Sequence, residues 1–186
     1  MRILLVGASG VLGRATLPHL VRDDVVGVAR SRNKVQLVRD LGAEAVVCDV
    51  YDRDGLVRLT RRVRPHVVVN FVTDLAAGSA EANNRARREG GANVRDAAAA
   101  AKASRLVVES VAFALRDDAA QAVDELERST CAYPGEAVIL RFGRLWGPGT
   151  MYEEPPRPPT IHVDEAGAVA ARLLADAPPG TYVVAA

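Results

Sequence analysis

Three glycines, Gly7, Gly10 and Gly13, punctuate the stretch RILLVGASGVLGRATLPHL from Arg2 to Leu20. The run before Gly7 is apolar, and Val11, Leu12, Ala15, Leu17, Leu20 and Val21 recur at helical spacing after it. That pattern predicts a strand, a tight turn and a helix. Gly7 lets the chain reverse, Gly10 lets backbone approach a pyrophosphate, and Gly13 lets the helix pack closely on the strand. Free N–H groups of the turn and first helical residues, Ser9, Val11 and Leu12 among them, then receive phosphate oxygens. A purely structural glycine turn is the alternative for the same residues. Pro18 removes a donor from the helix interior, so a kink or a late second turn is expected there.

A second cluster lies at the end of the next apolar run, Val25 to Ala29. In a dinucleotide site an acidic side chain at this place bonds the adenosine ribose, whereas a basic one accommodates a 2′-phosphate. Ala29 fills the acidic slot, and Arg30 and Arg32 flank the Ser31 hydroxyl, two planar cations with no carboxylate. The cluster points to NADP rather than NAD; two arginines solvating a loop is the alternative.

The elements that must position these residues follow in alternation. A helix is expected from about Lys34 to Leu41, a strand over Glu44–Cys48, a helix over Arg53–Arg64 ended by Pro65, and a strand over Val67–Val72. Asn70, Phe71, Val72 and Thr73 fall at the carboxyl end of that strand, the edge at which open α/β sheets bind ligands. A long alanine-rich helical stretch from Ser79 to Lys102, interrupted by Gly90 and Gly91, strands over Leu106–Ser110 and Ala137–Phe142, and a final strand over Thr181–Val184 complete the reading. The expected fold is α/β, a Rossmann-type doubly wound parallel sheet in one domain over residues 1–186.

Composition narrows the function classes. At 186 residues with a formal net charge of +1, the chain suits one well-buried domain and offers no basic run to track nucleic acid or an anionic membrane. No apolar run is long enough to span a bilayer, and Met1 leads directly into the first strand without a leader, so a cytoplasmic protein is expected. Two cysteines, Cys48 and Cys131, and three histidines form neither a disulfide framework nor a metal spacing.

GASGVLGR resembles the fingerprint of the short-chain dehydrogenase/reductase superfamily, in particular its extended, epimerase/dehydratase-like branch. The resemblance implies that Asp49, with Val50, faces the adenine, that Phe71, Val72 and Thr73 line the cofactor, and that GGANVRDAAAAA is the central helix packed on the sheet. Arg87 stands where the family often carries an asparagine. Ser110 falls at the family's catalytic serine or threonine. RFGRLWGPG, Arg141 to Gly149, resembles the segment near the nicotinamide, and IHVDEAGAVAARLLA resembles a late helix. Between them the proline-rich stretch 151–160 replaces most of the substrate lobe, leaving a minimal one.

The family's tyrosine, with a lysine four residues on, carries the proton chemistry, the ammonium lowering the phenol's pKa. The only lysines here are Lys34 and Lys102, and aligning on Glu125 puts Asp117 and Gln121 in the two places. Ser110, Asp117 and Tyr152, just past G-P-G, are therefore the candidate catalytic groups, with His162 as a further polar neighbour. Three functions stay open: an NADP-dependent oxidoreductase or epimerase-like enzyme with altered acid/base residues acting on a small molecule, a dinucleotide-binding sensor or partner subunit, and a non-redox enzyme on the same fold. A homodimer completing the reduced pocket is also expected.

Overall fold

The protein is described by a computed structural model covering residues 1–74 and 79–186. The apolar runs form β1 (Arg2–Val6), β2 (Asp24–Ala29), β3 (Glu44–Val47), β4 (Val67–Asn70), β5 (Arg105–Val111) and β6 (Glu136–Phe142). Two short strands follow, β7 (Arg144–Trp146) and β8 (Thr160–His162), and then β9 (Gly180–Val184). Seven strands make one sheet in the order β3-β2-β1-β4-β5-β6-β9, every pairing parallel. The central strands are buried on both faces, which is why they read as continuous apolar runs rather than alternating ones.

Helices cover both faces. α1 (Val11–Thr16), α2 (Val35–Asp40) and α7 (Val163–Asp176) lie over Ile3, Leu5, Val69, Val107 and Leu140. α3 (Arg53–Val63), α5 (Gly91–Ala100) and α6 (Asp117–Cys131) lie over Leu4, Val6, Val68, Leu106 and Val108. Pro18 neither kinks nor delays α1. The α-helix stops at Thr16, and Leu17–His19 tightens into a 3₁₀ turn whose early position needs no N–H from the proline.

The helix expected from Lys34 begins instead with a 3₁₀ turn, Arg32–Lys34, before α2. The long alanine-rich segment is α4 (Ala80–Arg85), a π-turn at Ala86–Gly90 and α5, without a break in direction of chain. Short β7 and β8 pair in parallel as a separate two-stranded sheet, with a further bridge between Trp146 and Tyr152. No helix among the described residues is long and apolar enough to cross a membrane.

Candidate dinucleotide site

A cavity of about 250 Å³ opens at the carboxyl ends of β1, β2 and β4, where the strand order reverses between β1 and β4. Gly7, Ser9 and Gly10 form its floor. Gly7 has φ +93°, and a Cβ there would lie 2.5 Å from the Phe71 carbonyl oxygen, so no other residue fits between β1 and the end of β4. The Gly10 N–H donates to the Gly7 carbonyl at 2.9 Å and closes the turn, and Gly10 is the N-cap of α1 with no side chain in the way. The first N–H groups of α1 have no intrahelical acceptor. Gly13 works from behind the cavity: a Cβ would sit 2.3 Å from the Gly7 carbonyl oxygen and 2.8 Å from Ala8 Cα. Leu12, 3% exposed, belongs to the core, and Val11 contributes backbone to the first turn rather than a side chain to the lining.

At the end of β2 the buried Ala29 is followed by Arg30, Ser31 and Lys34, all lining the cavity. Arg32 does not line it; it opens the 3₁₀ turn and is exposed. That turn returns Lys34 to the side of Ser31, a consequence of i to i+3 spacing that the sequence contains but a uniform α-helix would hide. The Arg30 guanidinium is largely exposed and touches the Asp74 carboxylate at 3.4 Å, a loose pair open to rearrangement. The Ser31 hydroxyl donates to Asn33 Oδ1 at 2.5 Å. Among the described residues, two cations and one carboxylate, Asp74, thus line this cavity.

The next wall is Cys48, Val50 and Tyr51. Asp49 is not part of the lining: its carboxylate accepts the Tyr51 N–H at 3.0 Å and shapes the turn. The buried Asn93 amide donates to the Val50 carbonyl at 2.9 Å, fixing this loop to α5. Arg85 lies over the Tyr51 ring, 4.0 Å from its centroid. Burial pushes the Cys48 thiol pKa up, helped by Asp52 and Asp49 and opposed by Arg58.

Phe71, Val72 and Thr73 close the far end of the cavity, and the Asn70 Oδ1 accepts the Val72 N–H at 3.2 Å to hold that turn. Beyond them the polar residues expected from the sequence do not gather. Ser110, 4% exposed, donates to Glu127 Oε1 at 2.5 Å, and Arg141 grips the same carboxylate. Burial raises the Glu127 pKa, but hydrogen bonds from Arg141 and Ser110 outweigh it and the net shift is downward. Glu127 and Arg141 border a second cavity of about 180 Å³ with Val111, Phe113 and Asp124.

Asp117 begins α6 in the left-handed region at φ 53°, exposed, and Gln121 is exposed one turn on. Tyr152 lines neither cavity; its carbonyl accepts the Gly147 N–H at 2.8 Å and its residue is 37% exposed. The His162 Nδ1 accepts the Asp164 N–H at 3.3 Å, capping α7, while the ring packs edge-on against Trp146. Tyr133 is buried, with its hydroxyl on the Ala103 carbonyl at 2.6 Å.

Glu109, which the sequence reading passed over, is the titratable group the sheet edge does present. Burial pushes its carboxyl pKa up to about 7, opposed by Arg87. Arg87 is itself pushed down by burial, opposed by Glu109. The available signal was a lone charge inside the apolar run LVVES.

Residues 3–134 match the NAD dependent epimerase/dehydratase family. The chain belongs to that family. A Streptomyces protein named 3-diazoavenalumate denitrifying reductase is 35% identical over 82% of this chain. The chain spans about 59% of that relative's length. A Bacillus halodurans protein assigned to the NAD-dependent epimerases/dehydratases superposes with a TM-score of 0.82 at 18% identity, over 100% of this chain and 94% of its own. The Bordetella bronchiseptica enzyme WbmG, solved with NAD, gives 0.80 at 18% identity, over 100% and 72%. At those identities the structures bear on fold. The cavity floor of this epimerase/dehydratase family member fits a dinucleotide on its own evidence: a side-chain-free turn at Gly7 and Gly10, unpaired helix N–H groups and flanking cations.

Proposed function

We propose that this protein is an NADP-dependent reductase of the epimerase/dehydratase family, acting on a small molecule in the cytoplasm. The observation that carries the cofactor choice is the lining of the cleft at the end of β2, where Arg30, Ser31 and Lys34 meet and no carboxylate follows Ala29. A 2′-phosphate is matched by a guanidinium fork, a hydroxyl and an ammonium. Gly7, Ser9 and Gly10 would hold the pyrophosphate, and Val50, Tyr51 and Cys48 the adenine side. When bound, the reduced cofactor supplies hydride. Arg30 releases Asp74 to reach the phosphate, Asn70 keeps the 71–73 turn shaped, and Phe71 excludes water from below.

The reading as a reductase is supported by the Streptomyces relative's name, and the free Cys48 and Cys131 suit a reducing compartment. The proline-rich 151–160 stretch, read as replacing most of a substrate lobe, supports a homodimer whose second copy completes the pocket. Stereospecific transfer of deuterium from labelled NADPH to a panel of carbonyl compounds and diazo acids tests the reading. Transfer to either class is the expected result. Tight NADPH binding with no transfer to any acceptor would instead favour a sensor or partner subunit.

One observation favours a second substrate class. No tyrosine in the sequence has a lysine four residues on, the family pattern aligned on Glu125 falling on Asp117 and Gln121, and the relative's name describes loss of nitrogen from a diazo compound. In its cationic diazonium form such a group is replaced by hydrogen with hydride taken up and N₂ expelled, so no proton is delivered. A chain without the proton-donating pair suits that reaction, and preference for the diazo acids over carbonyls in the same panel would single it out.

A further inference from the structure

Glu109 follows Val108, the register partner of Asn70, so it stands level with Phe71 at the carboxyl edge of the sheet. Alternation along β5 puts its side chain on the face opposite Ser110, outside the Ser110, Glu127 and Arg141 network. Among the described residues it makes no side-chain hydrogen bond and no ion pair, and the charged group that acts on it is Arg87. Arg87 comes from the π-turn directly after Ala86, a cavity-lining residue, and among the described residues its side chain donates only to Asn84 Oδ1, at 3.4 Å. Single π-turns inside helices mark functional sites often enough to direct attention there. Along the sheet, the cavity lining runs from Arg30 and Lys34 through the glycine turn to Phe71, Val72 and Thr73 after β4, and Glu109 stands on the next strand, β5, outside that lining as Arg87 is.

We propose that Glu109 is the proton-transfer residue at the reacting end of this cleft, with Arg87 as the positioning cation for its carboxylate, in place of the absent tyrosine and lysine. The proposal rests on the reductase reading and applies to a carbonyl acceptor, with a reduced dinucleotide as hydride donor. As the carbonyl carbon gains hydride, the C=O π pair moves to oxygen. The Glu109 O–H bond breaks, its proton forms the new O–H of the alcohol, and its electron pair stays on the carboxylate beside Arg87. Solvent then returns a proton to Glu109. Burial keeps both forms of this carboxyl populated near neutral pH, which is the condition for such a group to work.

Two measurements test this. In protein labelled with ¹³C at the glutamate side-chain carboxyl, without cofactor, Glu109→Gln assigns the resonance. The expected midpoint is near 7 in the parent, moving higher in Arg87→Gln; a midpoint near the ordinary 4.5 overturns the proposal. In turnover with NADPH and a carbonyl acceptor, Glu109→Gln is expected to lower kcat by about 10²–10⁴ with the NADPH Kd little changed, and Glu109→Asp to retain part of the rate. Glu109→Gln turning over within about threefold of the parent overturns it. If the parent binds no dinucleotide, the proposal falls together with the reductase reading; a midpoint still near 7 distinguishes that failure from its own.

Discussion

Gly13→Ala separates the packing role of the third glycine from the ligand role of the second. A Cβ at position 13 would lie 2.3 Å from the Gly7 carbonyl oxygen, 2.8 Å from Ala8 Cα and 2.9 Å from the Ala8 carbonyl carbon. All three are backbone atoms of the β1 turn, so none can rotate away, and α1 must move off the turn by about 1 Å to restore van der Waals contact. Overpacking of this kind costs about 1–3 kcal/mol, and the better helix propensity of alanine returns about 1. With backbone on both sides the upper part of the range applies, giving a net loss of about 2 kcal/mol. At Gly10 the added Cβ meets only the Gly7 oxygen at 3.1 Å, and φ is an ordinary −73°. Gly10→Ala is therefore expected to lose less than about 1 kcal/mol, the cost of a poorer N-cap, while blocking close approach of a pyrophosphate. Urea denaturation of both variants, with NADPH titration, measures the two effects. Gly13→Ala as stable as the parent, or Gly10→Ala binding NADPH undiminished, would refute the division of labour.

Glu109 makes stability pH-dependent. Its folded pKa, about 7, is above the ordinary 4.5, so the stability it confers is full below about pH 4.5 and is lost as pH rises through about 7. At about 1.4 kcal/mol per tenfold the loss is at most about 3.5 kcal/mol, less to the extent that solvent reaches the partly buried carboxyl. Urea midpoints at pH 5 and pH 8 are expected to converge in Glu109→Gln relative to the parent; an unchanged difference would contradict the shift. Tyr133→Phe removes the donor to the Ala103 carbonyl and leaves that oxygen without its phenol partner, an expected loss of about 1–2 kcal/mol in chemical denaturation. Cys48 lines the dinucleotide cavity whereas Cys131 does not, so alkylation confined to Cys48 is expected to weaken NADPH binding and to be slowed by prior NADPH.

The glycine turn and the parallel sheet were legible because buried parallel strands are apolar throughout and glycine marks the places where backbone meets backbone. RLW and TIH were not legible as β7 and β8: three residues carry no period, and their pairing, Arg144 with Thr160 to Trp146 with His162, depends on how the intervening segment folds back. Lys34 was hidden because a 3₁₀ turn, not an α-helix, sets which side of the chain it shares with Ser31. Ser110 and Glu109 show the limit most clearly. Adjacent strand residues point to opposite faces, so naming a strand end leaves open which of two neighbours meets the ligand until the helices on each face are in place. Here α6 supplies Glu127 to Ser110 on one face, which leaves Glu109 outside that network.

If Arg30, Ser31 and Lys34 hold a 2′-phosphate as proposed, the cleft at the end of β2 discriminates between the two cofactors. Calorimetric titration of the parent chain and of Lys34→Gln with NADPH and with NADH tests it directly. The parent is expected to bind NADPH at least about tenfold more tightly than NADH, about 1.4 kcal/mol, and Lys34→Gln to lose most of that preference by weakening NADPH alone. Equal affinity for the two cofactors in the parent, or tighter binding of NADH, would contradict it.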